Sequence, residues 1–228
     1  MLYARFERIA STAGDAGEFV VRYSMTKAGA HLLPMTPGFG EVANIGPTRI
    51  HGPLDSGAWL SSIDPQTGLP NPQVGVLIEV KNRRLVISPI HKEIHQILHK
   101  AALLQTTYPD RDFVSVLICR SVHPRSYWMA RDLGFLIHAT RREYVYLPKD
   151  MDLRLFNQVP AGLALTDLTL VDPESPPRII EFFTTTLPAR ASKQKERWKI
   201  AAPYVLETAG QLRFESSKIT HRSSRRRP

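Results

Sequence analysis

The sequence predicts an α/β fold, because segments with the pattern of buried strands alternate with segments that have helical periodicity. From residue 58 onward the predicted order is strand, strand, helix, strand, helix, strand. Strands that are connected through a helix usually pair in parallel, so this order predicts a parallel segment in the sheet. After residue 150 the alternation is lost, and the pattern predicts a mainly helical extension with many basic residues.

The first thirty residues predict two helices, or one broken helix, packed over the sheet. Leu2, Phe6 and Ile9 recur at helical spacing. The glycine-containing segment 14–17 interrupts this pattern, which resumes over residues 18–30. An apolar side on each part is what packing against a sheet requires.

The next segment predicts irregular structure with short strands. Residues 31–55 are rich in proline and glycine, and short strands are predicted only at 41–45 and 48–51. A better strand is predicted at 58–63. Residues 64–68, with the sequence DPQTG, have the composition of a turn.

Residues 74–82, with the sequence VGVLIEVKN, predict a strand that is buried on both faces. Side chains alternate along a strand, so Glu79 and Lys81 share one face with Leu77. Burying an ionised group costs free energy unless the group is paired or coordinates a metal. The strand therefore carries a carboxylate and an ammonium group where apolar residues would be easier to accommodate.

The remaining elements follow from the same periodicities. Ser88 followed by Pro89 is typical of a helix start, and it predicts a helix over residues 90–106. Further strands are predicted at 113–119, 135–140 and 144–147, and further helices at 126–133, 176–187 and 189–208.

Three histidines recur four residues apart on the helix predicted at 90–106, namely His91, His95 and His99. Histidines at this spacing can hold a transition metal, but no cysteine or carboxylate joins them. The pattern therefore favours a polar helix face.

The net charge of +9 lies almost entirely at the C-terminal end. Residues 182–228 contain eleven Lys or Arg residues against three Glu residues, a net charge of +8. This asymmetry indicates a polyanionic partner. Nucleic acid, with DNA favoured, is expected rather than a membrane, because there is no lipidation motif and no apolar stretch of transmembrane length.

The basic residues predicted to contact nucleic acid belong to the helix predicted at 189–208 and to the last eight residues. They are Lys193, Lys195, Arg197, Lys199, Arg222, Arg225, Arg226 and Arg227. Residues 221–228 contain no apolar side chain and predict a disordered tail.

Cysteine usage and the N-terminus predict a cytoplasmic protein. Cys119 is the single cysteine, so no internal disulfide can form, and it lies in an apolar run typical of a buried thiol. The start of the chain contains Arg5, Glu7 and Arg8, which is not the pattern of a signal peptide.

Within the central strand, residues 78–82, with the sequence IEVKN, resemble the signature of the PD-(D/E)xK nuclease superfamily. The resemblance extends over about residues 40–147. It implies a three-layer α/β/α core of restriction-endonuclease-like fold with a mixed sheet, here residues 1–150. Residues 151–220 would then form the helical extension, and a homodimer is a possible assembly.

The resemblance also implies an activity, the magnesium-dependent or manganese-dependent hydrolysis of phosphodiester bonds in DNA. Glu79 would bind the metal together with an upstream aspartate and the backbone carbonyl of Val80. Lys81 would position or activate the attacking water.

The upstream acid is Asp55 or Asp64, and the choice depends on the hairpin loop before the central strand. In the family this acid lies directly beside the glutamate. A loop centred near residue 68 or 69 would place Ala58 or Trp59 opposite Glu79, and a bulge would then be needed to bring Asp55 in. A tighter loop would place Asp55 directly opposite Glu79. Asp55 is favoured and Asp64 is the second choice.

A second interpretation is a binding or structural module that keeps the nuclease fold without its chemistry. Trp59, at one of the positions where the acid is expected, favours this alternative because its side chain cannot bind a metal.

Overall fold

The computed structural model describes residues 2–64, 66–172 and 179–224, and among them the side chains of all but residues 209–224. The strands are β1 (Leu32–Pro34), β2 (Val42–Ile45), β3 (Thr48–Leu54), β4 (Ser56–Leu60), β5 (Val74–Ile87), β6 (Asp112–Val122), β7 (Leu136–Ala139), β8 (Glu143–Val145) and β9 (Leu168–Leu170). The helices are α1 (Leu2–Ala10), α2 (Ala13–Ala28), α3 (Lys92–Thr107), α4 (Pro124–Leu133), α5 (Leu153–Gly162), α6 (Ile179–Glu181) and α7 (Leu187–Ser224).

A mixed five-stranded sheet with the order β1-β4-β5-β6-β7 forms the centre of the fold. The pairs β1–β4 and β4–β5 are antiparallel, whereas β5–β6 and β6–β7 are parallel. The parallel part is the segment that the strand–helix alternation predicts, because α3 connects β5 to β6 and α4 connects β6 to β7.

Alternation along β5 divides the hydrophobic core into two clusters, one on each face of the sheet. Val76 and Ile78 belong to the cluster that contains residues of α2. Leu77 belongs to the other cluster, together with residues of α3 and α7, including the fully buried Trp198. Each large apolar side chain that is fully buried contributes about 1.5–3 kcal/mol to stability, so helices on both faces stabilise the central strand.

Two small, separate sheets complete the strands of the fold. The β2–β3 hairpin contributes to the cluster of α3 and α7, and the parallel pair β8–β9 lies beside the packed helices α1 and α5. The elements after residue 150, namely α5, β9, α6 and α7, thus pack into the same hydrophobic clusters as elements of the first 150 residues.

The C-terminal helices form one continuous unit rather than two separate helices. α6, a π-helical segment (Phe182–Thr186) and α7 follow one another directly, so the predicted separation at Pro188 is wrong. Pro188 lacks the N–H of an α-helical hydrogen bond, and the π-helical turn ends two residues before it, at Thr186. The proline is therefore accommodated within the helix. α7 includes residues 221–224, part of the tail expected to be disordered, and residues 225–228 lie outside the described residues.

The observed fold is α/β, with helices flanking a mixed central sheet, and it is compatible with three layers of the α/β/α type. In the described part of the chain, no helix combines the length and apolar character needed to cross a membrane.

Candidate functional site

The register between β4 and β5 places Asp55 beside Glu79. Ser56 pairs with Ile78 and Leu60 pairs with Val74, without a shift between them. Continuing this register by one residue puts Asp55 opposite Glu79. The hairpin therefore has the tighter of the two loops considered from the sequence, and no bulge at residues 56–57 is needed.

The prolines at the hairpin loop do not prevent this tight connection. Pro70 pairs with Ile63 in an isolated antiparallel bridge, and the N–H of Gly68 donates to the carbonyl of Asp64. Gly68 has a φ of 71°, a left-handed conformation that glycine adopts at little cost.

Asp64 forms this turn and lies away from the carboxylate of Glu79. Its Oδ1 accepts a hydrogen bond of 2.8 Å from the N–H of Gln66. That backbone hydrogen bond lowers the pKa of the Asp64 carboxyl below its ordinary value, and the residue is only partly buried. Nine residues separate Asp64 from Asp55, or roughly 30 Å of extended strand, so the second-choice acid is not part of the site.

Trp59 also lies away from Glu79. It pairs with Gly75, and its ring packs at 6.4 Å from that of Phe113. Trp59 does not occupy the position opposite Glu79, so it no longer favours a module without nuclease chemistry.

The carboxylate of Asp55 is held against the backbone of β5. Its Oδ2 accepts a hydrogen bond of 2.6 Å from the N–H of Val80. The N–H and C=O of one residue in an extended strand face the same neighbouring strand, so the Val80 carbonyl also faces the Asp55 side of β5. The three oxygen-bearing groups predicted from the resemblance, those of Asp55, Glu79 and Val80, thus lie close together.

The ammonium group of Lys81 bridges the two carboxylates. Its Nζ is 2.8 Å from Oε1 of Glu79 and 3.4 Å from Oδ2 of Asp55. Burial alone would lower the pKa of Lys81, but the charges and hydrogen bonds of Glu79 and Asp55 outweigh it and raise the pKa above its ordinary value. Lys81 therefore stays protonated between two negative charges.

Lys100 is a second lysine of the site, and it lies outside the signature at residues 78–82. It projects from α3, is 8% exposed, and its Nζ lies 3.1 Å from Oε2 of Glu79 and 2.9 Å from the carbonyl of Pro53. A signal was present in the sequence, since Lys100 lies three residues after Ile97 and four before Leu104, within the apolar stripe of the helix. A lysine on that stripe must reach a buried partner.

Glu18 and Arg22 on α2 lie at the edge of the site. Nη2 of Arg22 donates to Oε2 of Glu18 at 2.8 Å and to the carbonyl of Asp55 at 3.2 Å. Burial raises the pKa of Glu18, and the negative charge of Asp55 raises it further. Glu18 is thus close enough to Asp55 to experience its charge.

The donor groups of the site suit a hard divalent cation. In the described part of the chain, no group of three or more His, Cys, Asp or Glu side chains is arranged to hold a metal. Mg²⁺ is usually bound by only one or two carboxylates, with waters and substrate phosphates completing its octahedron. Asp55, Glu79 and the Val80 carbonyl provide oxygen donors of that kind, and they fit magnesium better than a softer metal.

The basic residues of α7 have different environments. Nζ of Lys195 lies 2.6 Å from Oδ2 of Asp112, and Lys199 contacts Oδ1 of the same carboxylate. One carboxylate therefore neutralises part of the charge of two lysines, and their predicted contact with nucleic acid stays a prediction. Arg197 donates to the carbonyl of Arg131 at 2.6 Å.

Lys193 and Arg197 line a cleft of about 330 Å³. Arg131 and Arg190 line the same cleft, so four basic side chains meet there. Of the other residues predicted to contact nucleic acid, Arg222 is on α7 but its side chain lies outside the described residues, as do Arg225, Arg226 and Arg227.

Comparisons of the chain with protein-family models, curated proteins and solved structures find no significant match. The function is therefore argued from the geometry of the site.

Proposed function

We propose that this chain is a divalent-metal-dependent nuclease with a restriction-endonuclease-like fold, and that it hydrolyses phosphodiester bonds in DNA. The observation that carries the proposal is the position of Lys81, whose ammonium group lies within 3.4 Å of both Asp55 and Glu79. Two adjacent strands thus present an aspartate beside the glutamate and lysine of a PD-(D/E)xK-like signature.

The chain's own residues have separable roles in this proposal. Asp55, Glu79 and the Val80 carbonyl supply oxygen ligands for Mg²⁺ or Mn²⁺. A metal bound there would lower the pKa of a coordinated water and offset negative charge on the phosphate. Lys81 would orient that water and stabilise the charge that develops on the phosphate oxygens.

The two lysines of the site already balance its two carboxylates, so a bound cation would have to replace a lysine contact. Asp55, Glu79, Lys81 and Lys100 carry two negative and two positive formal charges, so the cluster is neutral. A cation that binds the carboxylates makes the cluster positive, which favours a phosphate nearby. Lys81 is 20% exposed and can turn toward such a phosphate, whereas Lys100 is more deeply buried.

Cleavage assays with labelled duplex, single-stranded and branched DNA, each with and without Mg²⁺, test the proposal. We expect metal-dependent cleavage of at least one substrate, and its loss in Glu79→Gln. Glu7→Gln is the matched control, because Glu7 is an exposed carboxylate on α1. Absence of cleavage of all three DNA substrates by the parent, or full cleavage by Glu79→Gln, would contradict the proposal.

A second candidate function is a DNA-binding module that lacks the chemistry. It is favoured by one observation, namely that each oxygen of Glu79 contacts an ammonium group, Lys81 at 2.8 Å and Lys100 at 3.1 Å. Such a carboxylate can serve structure alone. Titration with Mn²⁺ separates the two candidates, since the nuclease binds the ion at Glu79 and loses affinity in Glu79→Gln, whereas the module does not bind it.

A further inference from the structure

A cleft of about 1000 Å³ opens between α3 and α7, with part of β3 along one side. Its volume is at the upper end of the range found for ligand pockets. Gly52 and Lys100 line it, and the Nζ of Lys100 contacts Oε2 of Glu79 at 3.1 Å. Lys100 therefore forms part of the wall of the cleft and also contacts Glu79 of the candidate site.

The cleft favours an anionic occupant. Lys92 and Lys100 line it together with His51, His95 and His99. Among the described residues that form its wall there is no Asp or Glu. Lys100 is already paired with Glu79, so Lys92 is the cation of this wall that is placed to meet a phosphate, beside the three histidine rings.

The cleft also presents an aromatic ring to solvent. Tyr204 of α7 lines it and is 68% exposed. Leu98, Ala201 and Val205 line it as well, so the wall combines an apolar surface with basic groups. Aromatic rings beside positive charges are the means by which proteins bind single-stranded nucleic acids, the bases stacking on the rings and the phosphates meeting the cations.

A single strand fits this wall better than a duplex does. A base within a duplex is stacked between its neighbours, and only an unpaired base offers its face to a side chain. Tyr204 is 68% exposed at the cleft, so its ring is accessible to the face of an unpaired base.

We propose that the cleft between α3 and α7 holds a single-stranded segment of nucleic acid and directs it toward Asp55 and Glu79. The inference rests on the proposed nuclease function and assigns its substrate class. Tyr204 stacks on a base, Lys92 contacts a phosphate at the open side, and Lys100 lies where the strand approaches Glu79.

Binding of a fluorescein-labelled oligothymidylate of ~12 nucleotides, measured by fluorescence anisotropy in EDTA, tests the proposal without cleavage. We expect Tyr204→Ala to weaken affinity by about 5-fold to 150-fold, since stacking on one aromatic side chain is worth about 1–3 kcal/mol. Tyr204→Phe keeps the ring and should bind like the parent. Lys92→Ala should weaken binding and flatten the salt dependence by about 0.7, whereas the control Lys149→Ala, exposed near β8, should not.

The outcomes separate this proposal from the nuclease proposal. If the parent does not bind the oligonucleotide, or if Tyr204→Ala and Lys92→Ala bind it like the parent, the cleft proposal is overturned whatever the cleavage assays show. If thymidine monophosphate binds as tightly as the oligonucleotide, the cleft proposal is also overturned, and the cleft is a mononucleotide pocket. If the variants lose binding while the parent fails to cleave DNA, the cleft binds a single strand, but the nuclease proposal and the assignment of this strand as its substrate fail.

Discussion

The ammonium group of Lys100 lies 3.1 Å from the carboxylate of Glu79, although the two residues belong to different layers of the fold. Lys100 also binds the carbonyl of Pro53, two residues before Asp55. One side chain therefore connects α3 to β5 and to the end of β3, directly before Asp55. This contact makes the candidate site part of the core, so substitutions there are expected to change both activity and stability.

Glu79→Gln is expected to abolish metal-dependent cleavage and to lower the free energy of unfolding by about 1–3 kcal/mol. Stability falls because Lys100 loses its carboxylate partner in a buried position. Urea denaturation of the variant and parent measures the difference, and an unchanged free energy of unfolding would show that the Lys100 contact contributes nothing.

Lys100→Met is expected to lower the free energy of unfolding by about 1–3 kcal/mol. Methionine has nearly the same length but cannot donate to Glu79 or Pro53, and Lys81 still pairs with Glu79. A double-mutant cycle with Glu79→Gln should give a coupling energy in the range of about 0.5–3 kcal/mol, as found for residues in contact. Strict additivity of the two substitutions would contradict a direct interaction.

Asp55→Asn is expected to eliminate cleavage, whereas Asp64→Asn should retain it. Asp55 lies opposite Glu79 and accepts from the N–H of Val80, while Asp64 accepts from the N–H of Gln66 in an exposed turn. Asparagine retains an oxygen that can accept the Gln66 hydrogen bond, so Asp64→Asn also serves as the matched control. Rates measured side by side decide between the two acids, and the reverse order would assign the metal ligand to Asp64.

Stability is expected to fall as the pH decreases from about 6.5 to about 4, in part because of His138. Burial lowers the pKa of His138 from 6.5 to about 4, and its ring packs against Phe182. Between these values the unfolded state binds more protons than the folded state, so stability increases with pH and is greatest above 6.5. His138→Asn should flatten this part of the stability profile in urea denaturation, whereas His95→Asn, at an exposed position, should not.

Deletion of residues 221–228 is expected to weaken DNA binding at low salt without changing sequence preference, because phosphate contacts do not read bases. The deleted segment contains four arginines. Each phosphate contact contributes about 0.9 to the slope of log affinity against log salt, so the slope should decrease by about 2 to 4. Binding across a salt series measures this, and an unchanged slope would assign the arginines to another partner.

The amino-acid sequence by itself determined the elements whose pattern is local. The apolar run of β5 and the alternation that puts Glu79 and Lys81 on one face follow from strand geometry, which is set by neighbouring residues. The helical periodicity of α3 predicted its position to within two residues at each end. The five-residue signature led to the proposed function.

Tertiary structure alone decided which distant residues meet. The hairpin register that brings Asp55 to Glu79 depends on pairing across a loop, and the bridge of Pro70 with Ile63 kept that loop short. Lys100 reaches Glu79 only because α3 packs on the face of β5 that carries Leu77. Lys195 pairs with Asp112, 83 positions away, a contact that local periodicity cannot encode because the packing of α7 against the sheet creates it.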